Sequence, residues 1–328
     1  MNESISKNNC KGGFKTRPYH SISQTTKSLL EKYHLRLKKS LGQNLLVDPA
    51  CLNRIIETAN ISKEDIVVEI GTGSGILTKE ISKKAKKVIS FEIDKRIFEV
   101  AKEYLFGIDN IDLRNEDFLK ATLTPFSPLP VKGEGLGERV KIVANIPYYI
   151  TTPIIEKIIE INRDQPQQGN VISSVILTVQ REFAERMAAK PGTKQYGSFT
   201  IFVNYYFEPE IIFYIPKSAF IPQPEVGSAV ISLKPRTKSP VEVKDEKIFF
   251  ETVRAAFNQR RKTLRNALSA KFEKEKVDAT LSAAGIDCKR RGETLSIQEF
   301  AKITNKFYTI SQQDYLKDIY NSASPVIG

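Results

Sequence analysis

An α/β protein with a mostly parallel sheet, a closing antiparallel hairpin and a smaller C-terminal all-α domain is predicted by three features of this sequence. Short β-branched runs alternate with amphipathic helical stretches from residue 48 to about residue 187, the pattern of βαβ units whose strands are buried on both faces. Two further apolar runs, 211–215 and 229–233, come late and lie one loop apart. After Lys234-Pro235-Arg236 the strand signature stops, and the remaining apolar residues have helical spacing. The expected organisation is a flexible basic extension at 1–36, an α/β domain at 37–235 and a helical domain at 236–328.

Taken in order, residues up to about 36 are rich in Ser, Asn, Lys and Gly with little apolar periodicity, the composition of a mobile segment. Lys38 to Leu46 reads as a loop. Asp48-Pro49 then opens a helix as N-cap and first-turn proline, with Leu52, Ile55, Ile56 and Ala59 on one face. Ile66–Ile70 is a first strand running into Gly71-Thr72-Gly73-Ser74-Gly75 and a helix with Leu77 and Ile81 in register. Val88–Phe91 is a second strand, ending in Glu92-Ile93-Asp94, and a helix carrying Ile97, Val100 and Ala101 follows. Ile111–Arg114 is a third, leading to Asn115-Glu116-Asp117-Phe118.

Residues 121–139, dense in Pro and Gly, read as a flexible insertion with no core of its own. A fourth strand, Val140–Ala144, delivers Asn145-Ile146-Pro147-Tyr148-Tyr149. Pro147 lacks an N–H and keeps Ile146 extended, so pairing stops there. A helix at 152–161, a strand around 175–179 and a helix bearing Phe183 and Met187 continue the alternation. Ser198 can cap a helix with Phe199, Phe202, Val203 and Tyr206 on one face, although its β-branched content leaves a strand open. In the last domain Ser296 and Glu299 form a capping box before Phe300 and Ile303.

Composition narrows the function. The 328 residues, 41% apolar, can bury a large core. Cys10, Cys51 and Cys288 lie far apart, and the histidines are His20 and His34, so neither a zinc site nor a histidine-based triad is expected. That cysteine usage fits a reducing cytoplasm. No apolar run reaches the roughly 18 residues of a membrane span, and the amino terminus lacks the apolar core of a secretory signal. The net charge of +12 is uneven: nine Lys/Arg face two acids over residues 1–41, 23 face 24 over 42–235, and 18 face 12 over 236–328. A near-neutral centre between basic ends suits a ligand-binding core flanked by polyanion-binding segments, and nucleic acid is the obvious cytoplasmic polyanion.

The glycine turn does not complete the dinucleotide fingerprint, because Ile76 stands where the third glycine belongs. A ligand without pyrophosphate is therefore the better expectation. Glu92, at the end of the second strand, can accept both hydroxyls of a ribose; Asp117, at the end of the third, can accept from an adenine amino group. Ribose and adenine without pyrophosphate point to S-adenosyl-L-methionine. Asn145, free carbonyls and an aromatic ring suit a second flat heterocycle that carries an amino group.

The ordered set Gly42-Gln43-Asn44-Leu45-Leu46, Glu69-x-Gly71-x-Gly73-x-Gly75, Glu92-x-Asp94, Asp117-Phe118 and Asn145-Ile146-Pro147-Tyr148 resembles the rRNA adenine dimethyltransferases from about Lys38 to about Phe300. Phe220-x-Pro222-x-Pro224-x-Val226-x-Ser228 and Phe257-Asn258-Gln259-Arg260-Arg261-Lys262 are similar to its bacterial small-subunit branch. The resemblance implies a Rossmann-like class I methyltransferase sheet. It implies dimethylation of two adjacent adenines near the 3′ end of small-subunit (16S) rRNA, in ribosome biogenesis, by a monomer that uses S-adenosylmethionine and no metal.

Carried over by position, Asn44, Leu46, Gly71, Gly73, Glu92, Asp117 and Asn145 would hold the methyl donor. Asn145, Pro147, Tyr148 and Phe220 would form the catalytic face, with Tyr148 and Phe220 sandwiching the target base. Lys38, Lys39, Arg260, Arg261, Lys262 and Arg265 would meet RNA phosphates. The basic extension, the insertion and Tyr149, where the motif commonly has Asn, depart from the family pattern. A large-subunit rRNA dimethylase and a non-catalytic RNA-binding assembly factor on the same fold are the competing readings.

Overall fold

The structure, a computed structural model, describes residues 20–33, 37, 43–121, 139–147, 150–163 and 172–322. Its centre is a seven-stranded sheet built from β2 (Asp65–Ile70), β3 (Lys87–Phe91), β4 (Ile111–Arg114), β5 (Arg139–Asn145), β6 (Ile172–Gln180), β7 (Phe207–Ile215) and β9 (Ser228–Pro235), in the order β4-β3-β2-β5-β6-β9-β7. Strands β4, β3, β2, β5 and β6 run parallel, and β9 pairs antiparallel to β6. The expected sheet is thus present. Val67, Val68, Ile142, Val143, Val175 and Leu177 are fully covered, which explains why these strands read as unbroken apolar runs: each such side chain contributes about 1.5–3 kcal/mol by leaving water.

Helix α2 (Pro49–Thr58) leads into β2, and α3 (Ile76–Ser82), α4 (Lys95–Tyr104) and α5 (Thr151–Arg163) connect strands of the sheet. Asp48 caps α2 as its sequence predicts, Oδ1 accepting from Cys51 N–H at 2.8 Å, a contact of roughly 1 kcal/mol. At the end of the sheet opposite the site, Lys141 of β5 is buried. Its ammonium lies 3.0 Å from Asp65 and donates to the carbonyls of Ala59 and Asn60. Asp65 also accepts from Ser62 N–H and Oγ–H; burial pushes its pKa up, but these donors and Lys141 together hold it below the usual value.

Four expectations are corrected. First, the extension is not structureless throughout: His20–Lys32 forms helix α1, with Thr26 buried and Lys32 paired to Glu103 of α4. Its apolar periodicity is too weak to announce a helix that long-range contacts fix. Second, the stretch read as a loop before Asp48 contains strand β1 (Leu45–Leu46), paired antiparallel with β8 (Phe220–Ile221), so Leu46 faces Phe220 and Leu45 faces Ile221. A two-residue strand has no period to read.

Third, Ser198 opens helix α7 (Ser198–Tyr206) but does not cap it. Gly197 is the N-cap residue, and its N–H donates to Thr200 Oγ1 at 3.1 Å. The strand alternative is excluded, because Ser198–Tyr206 is α-helical, with Thr200, Ile201, Val203 and Tyr205 buried.

Fourth, the chain divides into two compact units in a way the linear boundaries miss. One holds residues through Ala184 together with Glu208–Thr237, and the other holds Glu185–Phe207 and Lys238 onward. The expected break near residue 236 is there, but residues 185–207, expected within 37–235, belong to the helical unit. Tyr196, Ile201 and Tyr205 share its core with Phe249, Val253, Leu264 and Phe300. The remaining helices of that unit are α8 (Glu246–Asn258), α9 (Leu264–Leu268), α10 (Lys274–Ala284) and α11 (Ile297–Ser322), α6 (Arg181–Met187) lying across the first junction. The predicted capping box of α11 is formed: Glu299 N–H donates to Ser296 Oγ at 3.2 Å and Ser296 N–H to Glu299 Oε2 at 2.8 Å. The extension before His20 and most of the 121–139 insertion lie outside the described residues.

Candidate active site

The carboxyl ends of β2, β3, β4 and β5 wall a cleft of about 350 Å³. It lies where the strand order turns from β3 on one side of β2 to β5 on the other, the position at which open α/β sheets take ligands. Asn44, Leu46, Gly71, Gly73, Glu92, Asp117, Asn145 and Pro147, all singled out in the sequence, lie on its wall.

The glycine turn is shaped by backbone need. Gly71 (φ +85°) donates its N–H to Phe91 O at 2.8 Å, which folds the chain back over β3 as it leaves β2. Gly73 (φ +56°) sits against Leu45: a Cβ there would lie 2.8 Å from Leu45 Cδ2. Both positions adopt the left-handed region that L side chains avoid, and the bare backbone leaves room for a ligand.

Glu92 is 6% exposed, its Oε2 accepting from Gly73 N–H (3.1 Å) and its Oε1 from Asp94 N–H (2.9 Å). Burial outweighs those donors and raises its pKa. Two amides thus aim the carboxylate while each oxygen keeps lone-pair capacity for a hydroxyl. Asp117 Oδ1 accepts from Leu119 N–H at 3.0 Å, and Oδ2 has no partner among the described residues. The rings of Phe91 and Phe118 meet edge to face at 5.6 Å on the same wall.

Glu69 is wholly buried on the cleft wall. Thr78 Oγ1 and Ser90 Oγ donate to its Oε2 (2.5 and 2.6 Å), and Oε1 has no partner among the described residues. Burial pushes its pKa up to about 8, against the lowering effect of the two hydroxyls, and the nearby Glu92 adds to the rise. Asn145, the last residue of β5, donates Nδ2–H to the Asn44 carbonyl oxygen at 3.0 Å. That bond commits the amino end of the amide and leaves Oδ1 to accept from a ligand.

Several wall residues were not singled out in the sequence as site residues: Gln43, Ile93, Ile97, Phe118 and Ile150. Gln43 Nε2 donates to Asp94 Oδ2 at 3.2 Å, so the segment before β1 is tied to the loop after β3. A contact spanning that much sequence leaves no local signal. Phe220 departs from expectation. It is 1% exposed, packs with Leu46, Ile55 and Val230, and is absent from the cleft wall. Its backbone pairs with that of Leu46 in β1. Tyr148, Tyr149, Lys38 and Lys39 lie outside the described residues.

In the helical unit, Arg260 donates to the carbonyls of Lys194 (3.0 Å) and Tyr196 (3.3 Å) and pairs with Glu293 (3.3 Å). Arg265 is held in a fork by Asp278. Arg261 and Lys262 are exposed and pair with no described residue.

The model of the ribosomal RNA adenine dimethylase family matches residues 34–309. A Bacillus mycoides protein named ribosomal RNA small subunit methyltransferase A is 48% identical over 286 residues, 85% of this chain and 94% of its own length. The chain belongs to the ribosomal RNA adenine dimethylase family. The Bacillus anthracis protein of the same name matches to the same extent. Among solved structures, a dimethyladenosine transferase from Plasmodium falciparum aligns with TM-score 0.66 at 27% identity, covering 81% of this chain and 98% of that one. The 23S rRNA methyltransferase ErmE aligns with TM-score 0.60 at 28% identity, covering 81% and 100%.

Proposed function

We propose that this protein transfers methyl groups from S-adenosylmethionine to the exocyclic amino groups of two adjacent adenines in the 3′-terminal hairpin loop of small-subunit (16S) rRNA, forming dimethyladenosine. The observation that carries the reading is the Asn145–Asn44 bond on the wall of a cleft whose other strand ends offer Glu92 and Asp117. One ligand needs a ribose and an adenine acceptor; the second needs an amide oxygen beside it.

The cleft fits the donor by its chemistry. Glu92 would accept from the ribose hydroxyls and Asp117 Oδ2 from the adenine amino group, while the Gly71–Gly73 backbone leaves space beside β2. When bound, S-adenosylmethionine supplies an electrophilic methyl carbon on a sulfonium. An adenine amino nitrogen is a poor nucleophile because its lone pair is delocalised into the ring. Asn145 Oδ1 and a backbone carbonyl of the 145–148 motif would accept the two amino hydrogens, hold the nitrogen pyramidal and aim its lone pair. Alignment of two bound reactants supplies up to about 7–11 kcal/mol of the barrier. The base must leave its stack at a cost of roughly a few kcal/mol, and a ring such as Tyr148 returns about 1–3 kcal/mol by stacking. Aiming replaces activation, so the step calls for no metal and no histidine base.

The small subunit is favoured over the large by the names of the 48%-identical relatives, with action in the cytoplasm during ribosome biogenesis, as a monomer. Undermethylated small subunits and, separately, large subunits are incubated with the protein and methyl-labelled donor, and the RNA is digested to nucleosides. Label in dimethyladenosine from small subunits supports the proposal. Label from large subunits alone favours the antibiotic-resistance type of dimethylase, and donor binding without transfer favours a non-catalytic assembly factor.

A further inference from the structure

The sheet edge that holds Asn145 continues past it. Asn145 pairs with Thr178 of β6, Gln180 of β6 pairs with Ser228 of β9, and β7 lies beyond β9. Arg181 N–H donates to the Gly227 carbonyl oxygen at 2.9 Å, and a Cβ on Gly227 would lie 3.9 Å from the Ile215 carbonyl oxygen. Asn145, Arg181, Gly227 and Tyr214 therefore stand in a row at four neighbouring strand ends. At about 4.8 Å from strand to strand, Tyr214 is roughly 14 Å from Asn145, and it is not part of the cleft wall.

The residues at the far end of this row form an aromatic and apolar patch backed by a cation. Strand alternation turns Phe213 and Ile215 into the core and Tyr214 to the other face. The Arg181 guanidinium lies over the Tyr214 ring, 4.7 Å from its centre, and Tyr214 is still 36% exposed. Val226, the residue before Gly227, is 44% exposed, so the row ends in two of the four large exposed hydrophobic residues among the described residues. Lys217 donates to the Glu225 carbonyl oxygen and ties the loop after β7 to the segment before β9.

An open aromatic ring backed by a guanidinium is what proteins offer to the bases of a single strand: the ring takes the face of a base and the cation strengthens the stack. Glu182 and Glu225, both exposed, adjoin Arg181 and Val226 in sequence. Their carboxylates disfavour a phosphate here, so a base suits the patch better than the backbone does. Two apolar residues are also far short of the area, above about 1,000 Å², that a stable protein interface buries.

We propose that Tyr214, backed by Arg181, is a stacking platform for a nucleobase flanking the target adenines. The inference rests on the reading of this chain as an rRNA methyltransferase and adds a base contact outside the catalytic cleft. At about 3.4 Å per nucleotide of a stacked strand, the base it takes lies within about four nucleotides of the target.

The sequence contains no tryptophan, so Y214W in the full-length chain supplies a single reporter that keeps a stacking ring. Its emission should be quenched by undermethylated small subunits and by the protein-free 3′-terminal hairpin RNA. F106W, at an exposed position between α4 and the amino end of β4, is the control and should not be quenched by the hairpin. Y214A should weaken hairpin binding about 5- to 100-fold, the loss of one base stack, while Y214F keeps the wild-type affinity. The slope of log Kd against log salt should stay wild-type in Y214A, because no phosphate contact is lost. Unquenched Y214W on saturating RNA, or wild-type affinity in folded Y214A, would overturn the platform; dimethylation of small subunits by the wild type would leave the rRNA reading standing. Quenching by subunits but not by the hairpin, or by self-association without RNA, would give the patch to a protein partner and overturn it as well. Failure of the wild type to bind either RNA or subunits would overturn the rRNA reading and the platform together.

Discussion

The Asn145 Nδ2–H bond to the Asn44 carbonyl oxygen, 3.0 Å long, joins the end of β5 to the segment before β1 and fixes which face of the amide meets a ligand. A donor could not be exchanged for the amide oxygen here, since the Asn44 carbonyl only accepts. The expected acceptor of the substrate amino hydrogens is thus set before substrate arrives.

Asn145→Ala should retain the fold and lose methyl transfer by about 100-fold or more, the scale of a reactant displaced by about an ångström. Single-turnover transfer to saturating subunits, with circular dichroism as the folding control, measures it. Near wild-type turnover in a folded variant would contradict the role of the amide.

Glu92→Gln replaces a carboxylate that two backbone amides aim into the cleft. Loss of a charge-assisted hydrogen bond of about 1.5–3 kcal/mol should weaken donor binding by roughly 10- to 100-fold, read by calorimetry with S-adenosylmethionine in the absence of RNA.

Glu69 sets a pH dependence of known sign. Its folded pKa of about 8 lies above the ordinary 4.5, so the folded chain holds a proton that the unfolded chain has released between those values. Its stabilising effect is full below about pH 4.5 and is lost as pH rises toward about 8, with a limiting slope of about 1.4 kcal/mol per pH unit. Glu69→Gln cannot titrate. Denaturant melts of wild type minus variant should show that decline with rising pH, and a flat difference would contradict a neutral buried carboxyl.

Lys141→Met should be destabilising by about 3–5 kcal/mol, because it leaves Asp65 buried without its cation. Asp65→Asn with Lys141→Met should recover much of that loss. The contrast, measured by urea denaturation, separates an unpaired charge from lost packing.

Much of this arrangement was legible in the sequence because it depends on local chemistry. β-branched runs mark the parallel strands, the Asp48 cap and the Ser296–Glu299 box mark helix starts, and glycine or acidic residues follow strand ends. The elements that escaped are those defined by partners far along the chain. Strand β1 exists only through β8, and Gln43 reaches the cleft only through Asp94. Residues 185–207 carry aromatic side chains whose partners, Phe249 and Phe250, come more than forty residues later, so a linear boundary placed them in the wrong unit. Phe220 shows the remaining difficulty: the motif suggested its contact with a base but gave no sign of its burial at 1% exposure in the core beside β1.

The most direct test is mass spectrometry of the 3′-terminal rRNA fragment from undermethylated small subunits after reaction with wild type and with Asn145→Ala. Dimethylation of two neighbouring adenines by the wild type, and of neither by the variant, is the predicted result. Methylation of a different base, or an equal yield from both proteins, would contradict the account.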